Sequence, residues 1–232
     1  MTTFAAILAG GTGSRMGHHQ PKQFLELAGR PLIVRTVDTM LSSGLFAEIL
    51  VVIHPEWLAH LKNVLSRWPE TASSLHIIPG GASRQGSSWA AIDWCRHRPQ
   101  PPDNILIHDA ARCLVDRPLL ERCLQALAEH PAVTAAIPMV DSVARIDADL
   151  IVDVPPRDTL VRIQTPQAFH LPLIATAHEA ARERGIDDAT DDAQLVLAID
   201  EPVRIVPGSD RNIKLSTPTD LEIARRILGD VI

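Results

Sequence analysis

The sequence predicts an α/β fold built on a parallel-rich sheet that helices cover on both faces. Three observations carry this. Short, continuous aliphatic runs recur, such as Phe4-Ala5-Ala6-Ile7-Leu8 and Ile49-Leu50-Val51-Val52-Ile53. Several are followed by amphipathic stretches of about 10–15 residues. The runs close on turn-forming residues, as in Gly10-Gly11, His54-Pro55 and Pro79-Gly80-Gly81. Strands apolar on both faces belong in a sheet covered on both sides, and strand–helix alternation makes that sheet parallel.

Taken in order, Phe4 to Leu8 is a strand entering a glycine-rich loop, and Ile49 to Ile53 is a second strand. Residues Pro55 to Trp68 have helical spacing, with Leu58, Leu61 and Leu65 on one face. Leu75 to Ile78 is a strand, and Ser83 to His97 is helical, with Ser83 as N-cap. Ile105 to Ile107 leads into His108-Asp109-Ala110-Ala111-Arg112, and Val133 to Val140 gives a fifth apolar run. The stretch 141–157 breaks the rhythm: Ser142 to Ile146 and Leu150 to Val152 flank Asp147-Ala148-Asp149, which reads as a β-hairpin. A lone hairpin cannot bury both faces, so it lies on its own domain or projects to meet another subunit. Beyond it come helices near Leu171 to Arg184 and Asp191 to Ile199, and a strand Val203 to Val206. A closing helix starts behind Ser216-Thr217-Pro218, an N-cap followed by Pro.

Composition narrows the function. With 232 residues, 46% of them hydrophobic and 22% charged, the chain can bury an ordinary core, which excludes disorder. A net charge of −6 and 3% aromatic residues argue against a nucleic-acid polymer as partner, because a basic groove and stacking platforms are both lacking. No apolar stretch reaches the ~20 residues of a membrane span. Cys95, Cys113 and Cys123 show neither metal-binding nor disulfide spacing, which fits packing residues in a reducing cytoplasm. The cations are overwhelmingly Arg, with lysines only at 22, 62 and 214.

The strongest local feature is Leu8-Ala9-Gly10-Gly11-Thr12-Gly13-Ser14-Arg15-Met16-Gly17. Glycines directly after a strand let backbone N–H groups approach an anion. The spacing fits neither a dinucleotide-binding GxGxxG, since Met16 stands where a glycine is needed, nor a Walker P-loop. Arg15 inside the loop and Lys22 beyond it suit a polyphosphate, although a glycine turn with two solvated cations would look the same. Gly80-Gly81-Ala82-Ser83-Arg84-Gln85-Gly86-Ser87 offers N–H groups and hydroxyls for a base or ribose, or simply a helix N-cap at Ser83. Asp109, at a carboxyl strand end, can hold the Mg²⁺ that accompanies a nucleotide, or pair internally with Arg112. Arg157, Gln164-Thr165-Pro166-Gln167 and Asn212-Ile213-Lys214 are weaker signals individually. The histidines, His18-His19 included, lack metal-ligand spacing and read as surface or capping residues.

Together, Ala9 to Gly17, Pro21-Lys22-Gln23-Phe24, His108 to Arg112, Gln164 to Gln167 and Asn212 to Lys214 occur in an order that resembles the CTP-dependent polyol-phosphate cytidylyltransferases. That family includes enzymes acting on 2-C-methyl-D-erythritol 4-phosphate and on ribitol 5-phosphate. The first motif is shared with sugar-1-phosphate nucleotidyltransferases and molybdenum-cofactor guanylyltransferases; the QTPQ and NIK elements narrow the resemblance, which spans nearly the whole chain.

The resemblance implies one domain over residues 1–232. Its fold would be a Rossmann-like, mostly parallel mixed sheet with helices on both faces, of the nucleotide-diphospho-sugar transferase type, with a projecting β-arm at 141–157 that dimerises. It implies that Arg15 and Lys22 stabilise charge on the CTP phosphates, and that Arg157 and Lys214 position the polyol phosphate. Ala9, Gly10, Gly11, Thr12, Gly13, Gly81, Ala82, Arg84, Ser87, Asp109 and Ala110 would line the nucleotide site, with Asp109 also near Mg²⁺. Arg112, Ser142, Arg157, Thr165, Thr190 and Lys214 would serve the acceptor, some across the dimer interface.

The acceptor signals are mixed. Asp109-Ala110-Ala111-Arg112 and Thr190-Asp191-Asp192-Ala193 are similar to the methylerythritol branch. Asp141-Ser142-Val143-Ala144 lacks that branch's Asp-Thr with Lys two residues on, and Gly10-Gly11 stands where Ala-Gly is frequent. His54-Pro55-Glu56-Trp57 and Val154-Pro155-Pro156-Arg157 resemble the ribitol branch. Methylerythritol phosphate is the first expectation and ribitol phosphate the second. A nucleotidyltransferase for another base or sugar phosphate, or a non-catalytic nucleotide-binding domain, are the more distant ones.

Overall fold

The computed structural model describes residues 1–11, 21–68 and 75–229. Strand β1 (Thr3–Leu8) precedes a small antiparallel pair, β2 (Glu26–Leu27) and β3 (Arg30–Pro31), and helix α1 (Leu32–Ser43). Then follow β4 (Glu48–Ile53), α2 (Leu58–Ser66), β5 (Leu75–Pro79), α3 (Arg84–Arg96), β6 (Asn104–Asp109), α4 (Arg117–Leu127) and β7 (Ala132–Pro138). The hairpin β8 (Arg145–Asp147) and β9 (Leu150–Asp153) leads to β10 (Val161–His170), α5 (Leu171–Glu183), α6 (Asp192–Leu197), β11 (Arg204–Pro207) and α7 (Pro218–Leu228).

Among the described residues, seven strands form one sheet in the order β11-β7-β10-β6-β1-β4-β5. Strands β5, β4, β1 and β6 pair in parallel, and β11 pairs in parallel with β7. Strand β10 runs antiparallel to both of its neighbours. The sheet is thus mixed and mostly parallel, as expected.

The period of two along each strand divides the core. Ala5 and Ile7 face a cluster with Ile33, Val37 and Met40 of α1, Leu61 of α2 and Leu119 and Cys123 of α4. Phe4, Ala6 and Leu8 face the opposite cluster, with Ile92 of α3, Ile174 of α5 and Val196 of α6. Cys95, Cys113 and Cys123 are buried free thiols, and burial pushes them up to about 12, 11 and 12. Among the described residues, no helix is long and apolar enough to cross a membrane.

Local chemistry sets the helix starts. The Ser83 hydroxyl accepts from Gly86 N–H at 3.0 Å, so the expected N-cap of α3 is present. Asp191 caps α6, and Thr217 with Asp220 forms a capping box ahead of Pro218 on α7. The expected helix from Pro55 is a 3₁₀ turn, Pro55–Trp57, followed by α2.

Two departures matter for the site. The first hairpin strand starts later than the sequence suggested, because Ser142 to Ala144 stay outside the ladder, while the second runs one residue further, to Asp153, and the turn closes at Ala148-Asp149. The Gln164-Thr165-Pro166-Gln167 segment, for which the sequence offered no strand, lies inside β10 next to β6. Its Pro166 falls where the register with β7 shifts between Gln164 and Gln167, and a proline is accommodated there without breaking the sheet.

Candidate active site

The strand directions decide where chemistry can gather. The carboxyl ends of β1, β5, β6 and β11 share one edge of the sheet, where open α/β sheets bind ligands. Because β10 runs the other way, its first half, with Gln164 and Thr165, meets that same edge.

A cavity of about 380 Å³ opens there. Gly10, Gly11, Lys22, Gly81, Ala82, Arg84, Ser87, Asp109 and Lys214, all expected from the sequence, line it together. Leu8, Ser83, Ala111 and Ser216 complete its wall. The two glycine loops meet over Ser87: a Cβ on Gly10 would lie 3.1 Å from the Ser87 hydroxyl, and one on Gly80 would lie 2.8 Å from it. Arg15, Thr12 and Gly13 lie outside the described residues.

Asp109 is the electrostatic centre. Its Oδ2 meets Lys214 Nζ at 2.7 Å and its Oδ1 meets Arg84 Nε at 3.4 Å. Burial alone would raise its pKa, but Arg84 and Lys214 outweigh burial and hold the carboxyl well below the usual range. Of the two sequence readings of Asp109, the internal pair with Arg112 is replaced by pairs with Lys214 and Arg84. The Arg112 guanidinium turns instead to the Asn212 carbonyl, 2.8 Å away.

Arg84 has a second anchor. Its Nη1 lies 2.9 Å from Asp192 Oδ2, and Asp192 also accepts from Ser88 and pairs with His178 Nε2 at 3.0 Å. Burial tends to lower the Arg84 pKa, but Asp192 and Asp109 raise it above its ordinary value. Among the described residues, Arg84 Nη2 and Arg112 Nε are buried without a hydrogen-bond partner. Leaving a buried charged donor unpaired is costly, so such groups belong where a ligand supplies the acceptor. Lys22 reaches across to the Leu215 carbonyl at 2.9 Å.

Behind the wall, Thr165 carries a directed chain of hydrogen bonds. Its hydroxyl oxygen accepts from Asp109 N–H at 3.0 Å and lies 3.1 Å from His108 Nδ1, while His108 Nε2 lies 3.1 Å from the Arg112 carbonyl. With a neutral imidazole, Nε2 donates to the Arg112 carbonyl and Nδ1 accepts from the Thr165 hydroxyl. Burial lowers the His108 pKa to about 4, which agrees. Thr165 therefore fixes the position of Asp109 and is not part of the cavity wall, unlike the acceptor contact the resemblance implies.

Other expected residues also stand back from the cavity. Ala9 donates to the Val52 carbonyl and accepts from Gln23, and Ala110 donates to the Leu8 carbonyl and accepts from Thr36, so both brace the loops. Thr190 is exposed and bonds to Gln194. Ser142 and Arg157 are exposed beside the hairpin, with Arg157 Nη1 donating to the Val140 carbonyl at 2.9 Å. The histidines differ from the surface reading, because His108 and His178 are completely buried. Among the described residues no group of three or more His, Cys, Asp or Glu is placed to hold a metal ion.

The sequence model of the 2-C-methyl-D-erythritol 4-phosphate cytidylyltransferase family, IspD, matches residues 3–230. The chain belongs to that family. A 2-C-methyl-D-erythritol 4-phosphate cytidylyltransferase of Thermobifida fusca (strain YX) is 40% identical over 231 residues, covering 97% of this chain and 92% of the relative. A ribitol-5-phosphate cytidylyltransferase of Lactiplantibacillus plantarum is 30% identical over 228 residues, with 97% of each chain covered. The solved 4-diphosphocytidyl-2C-methyl-D-erythritol synthase of Anaerococcus prevotii superposes with TM-score 0.83 at 28% identity, covering 98% of both chains. The 2-C-methyl-D-erythritol 4-phosphate cytidylyltransferase of Thermus thermophilus superposes with TM-score 0.78 at 31% identity, again covering 98% of both.

For this IspD-family chain, sequence reasoning missed the supports rather than the wall. Asp192, His178, Gln164 and Gln167 received no role, because their partners lie far away in sequence. Gln167 Oε1, for example, accepts from Asp192 N–H at 3.0 Å and so holds the start of α6, from which Asp192 reaches Arg84. Ser216 lies two residues beyond Lys214, and both line the cavity.

Proposed function

We propose that this IspD-family chain transfers the cytidylyl group of CTP to 2-C-methyl-D-erythritol 4-phosphate, giving 4-diphosphocytidyl-2-C-methyl-D-erythritol and pyrophosphate. The observation that carries this reading is the gathering of Lys22, Arg84 and Lys214 around Asp109, in a cavity walled by two glycine loops, with Arg84 Nη2 lacking an acceptor among the described residues. Such a site suits a triphosphate beside a phosphate monoester.

The chemistry asks little of the protein beyond placement. A phosphate oxygen of the acceptor forms a bond to the α-phosphorus while the bond to the β-phosphate bridging oxygen breaks, and pyrophosphate carries the electron pair away. The acceptor is already an anion, so no general base is needed. The Gly10-Gly11 and Gly81-Ala82 segments hold the nucleotide, with Ser87 beneath them. Arg15 and Lys22 offset charge on the α-phosphate and the departing pyrophosphate, and Lys214 orients the acceptor phosphate. Cytosine is read by backbone and hydroxyl groups, in keeping with a chain that has no Tyr.

Asp109 fits Mg²⁺ in one respect, as a single hard-oxygen carboxylate at the edge of a phosphate-sized cavity, because Mg²⁺ usually takes one or two carboxylates and completes its shell with phosphates and water. The ion would neutralise charge on the triphosphate.

The hairpin supports a homodimer. Ile146, Leu150, Ile151 and Val152 are each at least 60% exposed, an apolar surface unusual for a monomer. The arm leaves the same sheet edge that carries the cavity, between β7 and β10, so a partner's arm would bring Ser142 and Arg157 to the acceptor side. Three buried unpaired thiols support a reducing cytoplasm.

Ribitol 5-phosphate is the second acceptor reading, favoured by the full-length similarity to the Lactiplantibacillus plantarum enzyme. A pyrophosphate-release assay with CTP, Mg²⁺ and each polyol phosphate separates the two. Release with methylerythritol phosphate is expected, falling by about 10²–10³ in Lys22→Ala. Release with ribitol phosphate alone would transfer the assignment, and release with neither would overturn it.

A further inference from the structure

We propose that Gln164 is the positioning residue for Lys214, which rests on the reading of Lys214 as the acceptor-phosphate cation. Gln164 is 4% exposed, and its whole side-chain amide is spent on one loop. Nε2 donates to the carbonyls of Ser209 at 2.9 Å and Asn212 at 3.4 Å. Oε1 accepts from Ser209 N–H at 3.2 Å and from Asn212 Nδ2 at 3.3 Å. An amide has two donor hydrogens and two acceptor lone pairs, so this clasp uses its full capacity.

The loop is shaped to receive that amide. A Cβ on Gly208 would lie 2.5 Å from Gln164 Oε1, so only glycine lets the two approach. Asn212 is held again through Nδ2 to the Thr165 carbonyl at 2.8 Å. Two residues on comes Lys214, and the following Leu215 N–H donates to the Ala111 carbonyl at 2.9 Å. Lys214 is therefore carried on a short strap pinned on both sides, by Gln164 before it and by Ala111 after it. Its stem is short of slack, and its ammonium meets Asp109 at 2.7 Å. Gln164 does not line the Asp109 cavity and so acts through the strap.

The chain's three lysines make this testable without turnover. Limited acetylation of the full-length protein, read lysine by lysine by mass spectrometry, is compared between wild type, Gln164→Ala and Gly208→Ala. Gly208→Ala pushes on the amide with Gln164 still present, which gives a second route should the first variant fold poorly. Lys214 is expected to react several-fold faster in either variant, with Lys62 unchanged. An unchanged Lys214 rate in folded protein overturns the proposal. In the turnover assay, Gln164→Ala should lower kcat/KM for the acceptor by about 10- to 100-fold with KM for CTP unchanged. Combined with Lys214→Ala it should cost nothing further, because the two act through one group. A fully additive loss overturns the proposal. Full turnover by Lys214→Ala alone would remove the role given to that lysine, while the acetylation rates would still decide whether Gln164 holds it.

Discussion

Lys214 Nζ lies 2.7 Å from Asp109 Oδ2, although the two residues are carried by segments about a hundred positions apart. The other carboxylate oxygen faces Arg84. One acidic side chain thus sets the resting positions of two cations that a phosphate would also attract, and the site holds its charges in reserve against a ligand of the same sign as Asp109.

Replacing that charge while keeping the shape should be damaging. Asp109→Asn is expected to reduce turnover with CTP by about 10²–10³, comparable to losing one preorganised electrostatic contact. The measurement is steady-state pyrophosphate release, beside a melting curve that verifies folding. Near-wild-type kcat/KM would show that Asp109 matters only for folding.

The glycine loops offer a paired steric test. A Cβ on Gly81 would fall 2.7 Å from the Gly86 carbonyl carbon, a backbone atom with little room to move, whereas among the described residues nothing lies within 4 Å of one on Gly11. Gly81→Ala should displace the start of α3 and raise KM for CTP about tenfold or more. Gly11→Ala should leave the melting temperature unchanged, so any kinetic loss there reports contact with the nucleotide. Equal melting temperatures and equal KM values for both variants would contradict this contrast.

His108 predicts a pH dependence of stability. Its pKa falls from 6.5 to about 4 on folding, so the unfolded chain binds the extra proton between those values. Stability should therefore be complete above about pH 6.5 and decline as the pH falls towards 4, with a limiting contribution of about 3 kcal/mol. Denaturant titrations across that range should show a steeper acid decline for wild type than for His108→Gln. Parallel pH profiles would refute the buried neutral imidazole as the cause.

The hairpin prediction concerns assembly. Ile146→Glu with Leu150→Glu places two charges on residues already exposed in the single chain, so folding of the protomer should not change. Sizing chromatography with light scattering should show a dimer for wild type and a monomer for the double variant. Equal masses would remove the arm from the interface.

The strands were legible because they are buried on both faces and therefore aliphatic throughout, as in Ile49 to Ile53. The glycine loops and Asp109 were legible because their chemistry sits in contiguous motifs at strand ends. Strand β10 was not, because its central residues Gln164, Thr165 and Gln167 are buried polar groups, satisfied by partners 24 to 57 residues away. No local pattern announces such partners, and a proline inside the run is atypical of a central strand. Helix α1 opens on Leu32-Ile33-Val34, a strand-like run whose helical role shows only in the spacing of Ile33, Val37 and Met40. Helix α4 did carry a local signal, Asp116 as N-cap with Pro118 in the first turn.

Strand β10 has one more consequence, for the order in which a working molecule comes into being. It enters the sheet between β6 and β7, although the chain makes both of those before it. A ribosome-bound chain lacking residues beyond 160 leaves β6 as an open sheet edge and β7 with neither of its two neighbours, β10 and β11, each open to foreign pairing. The strand that zips them shut also delivers Thr165 to Asp109 and Gln164 to the Lys214 strap. Insertion of β10 thus sets both supports in place, and the site is complete only once residues 208–215 have followed and docked on them.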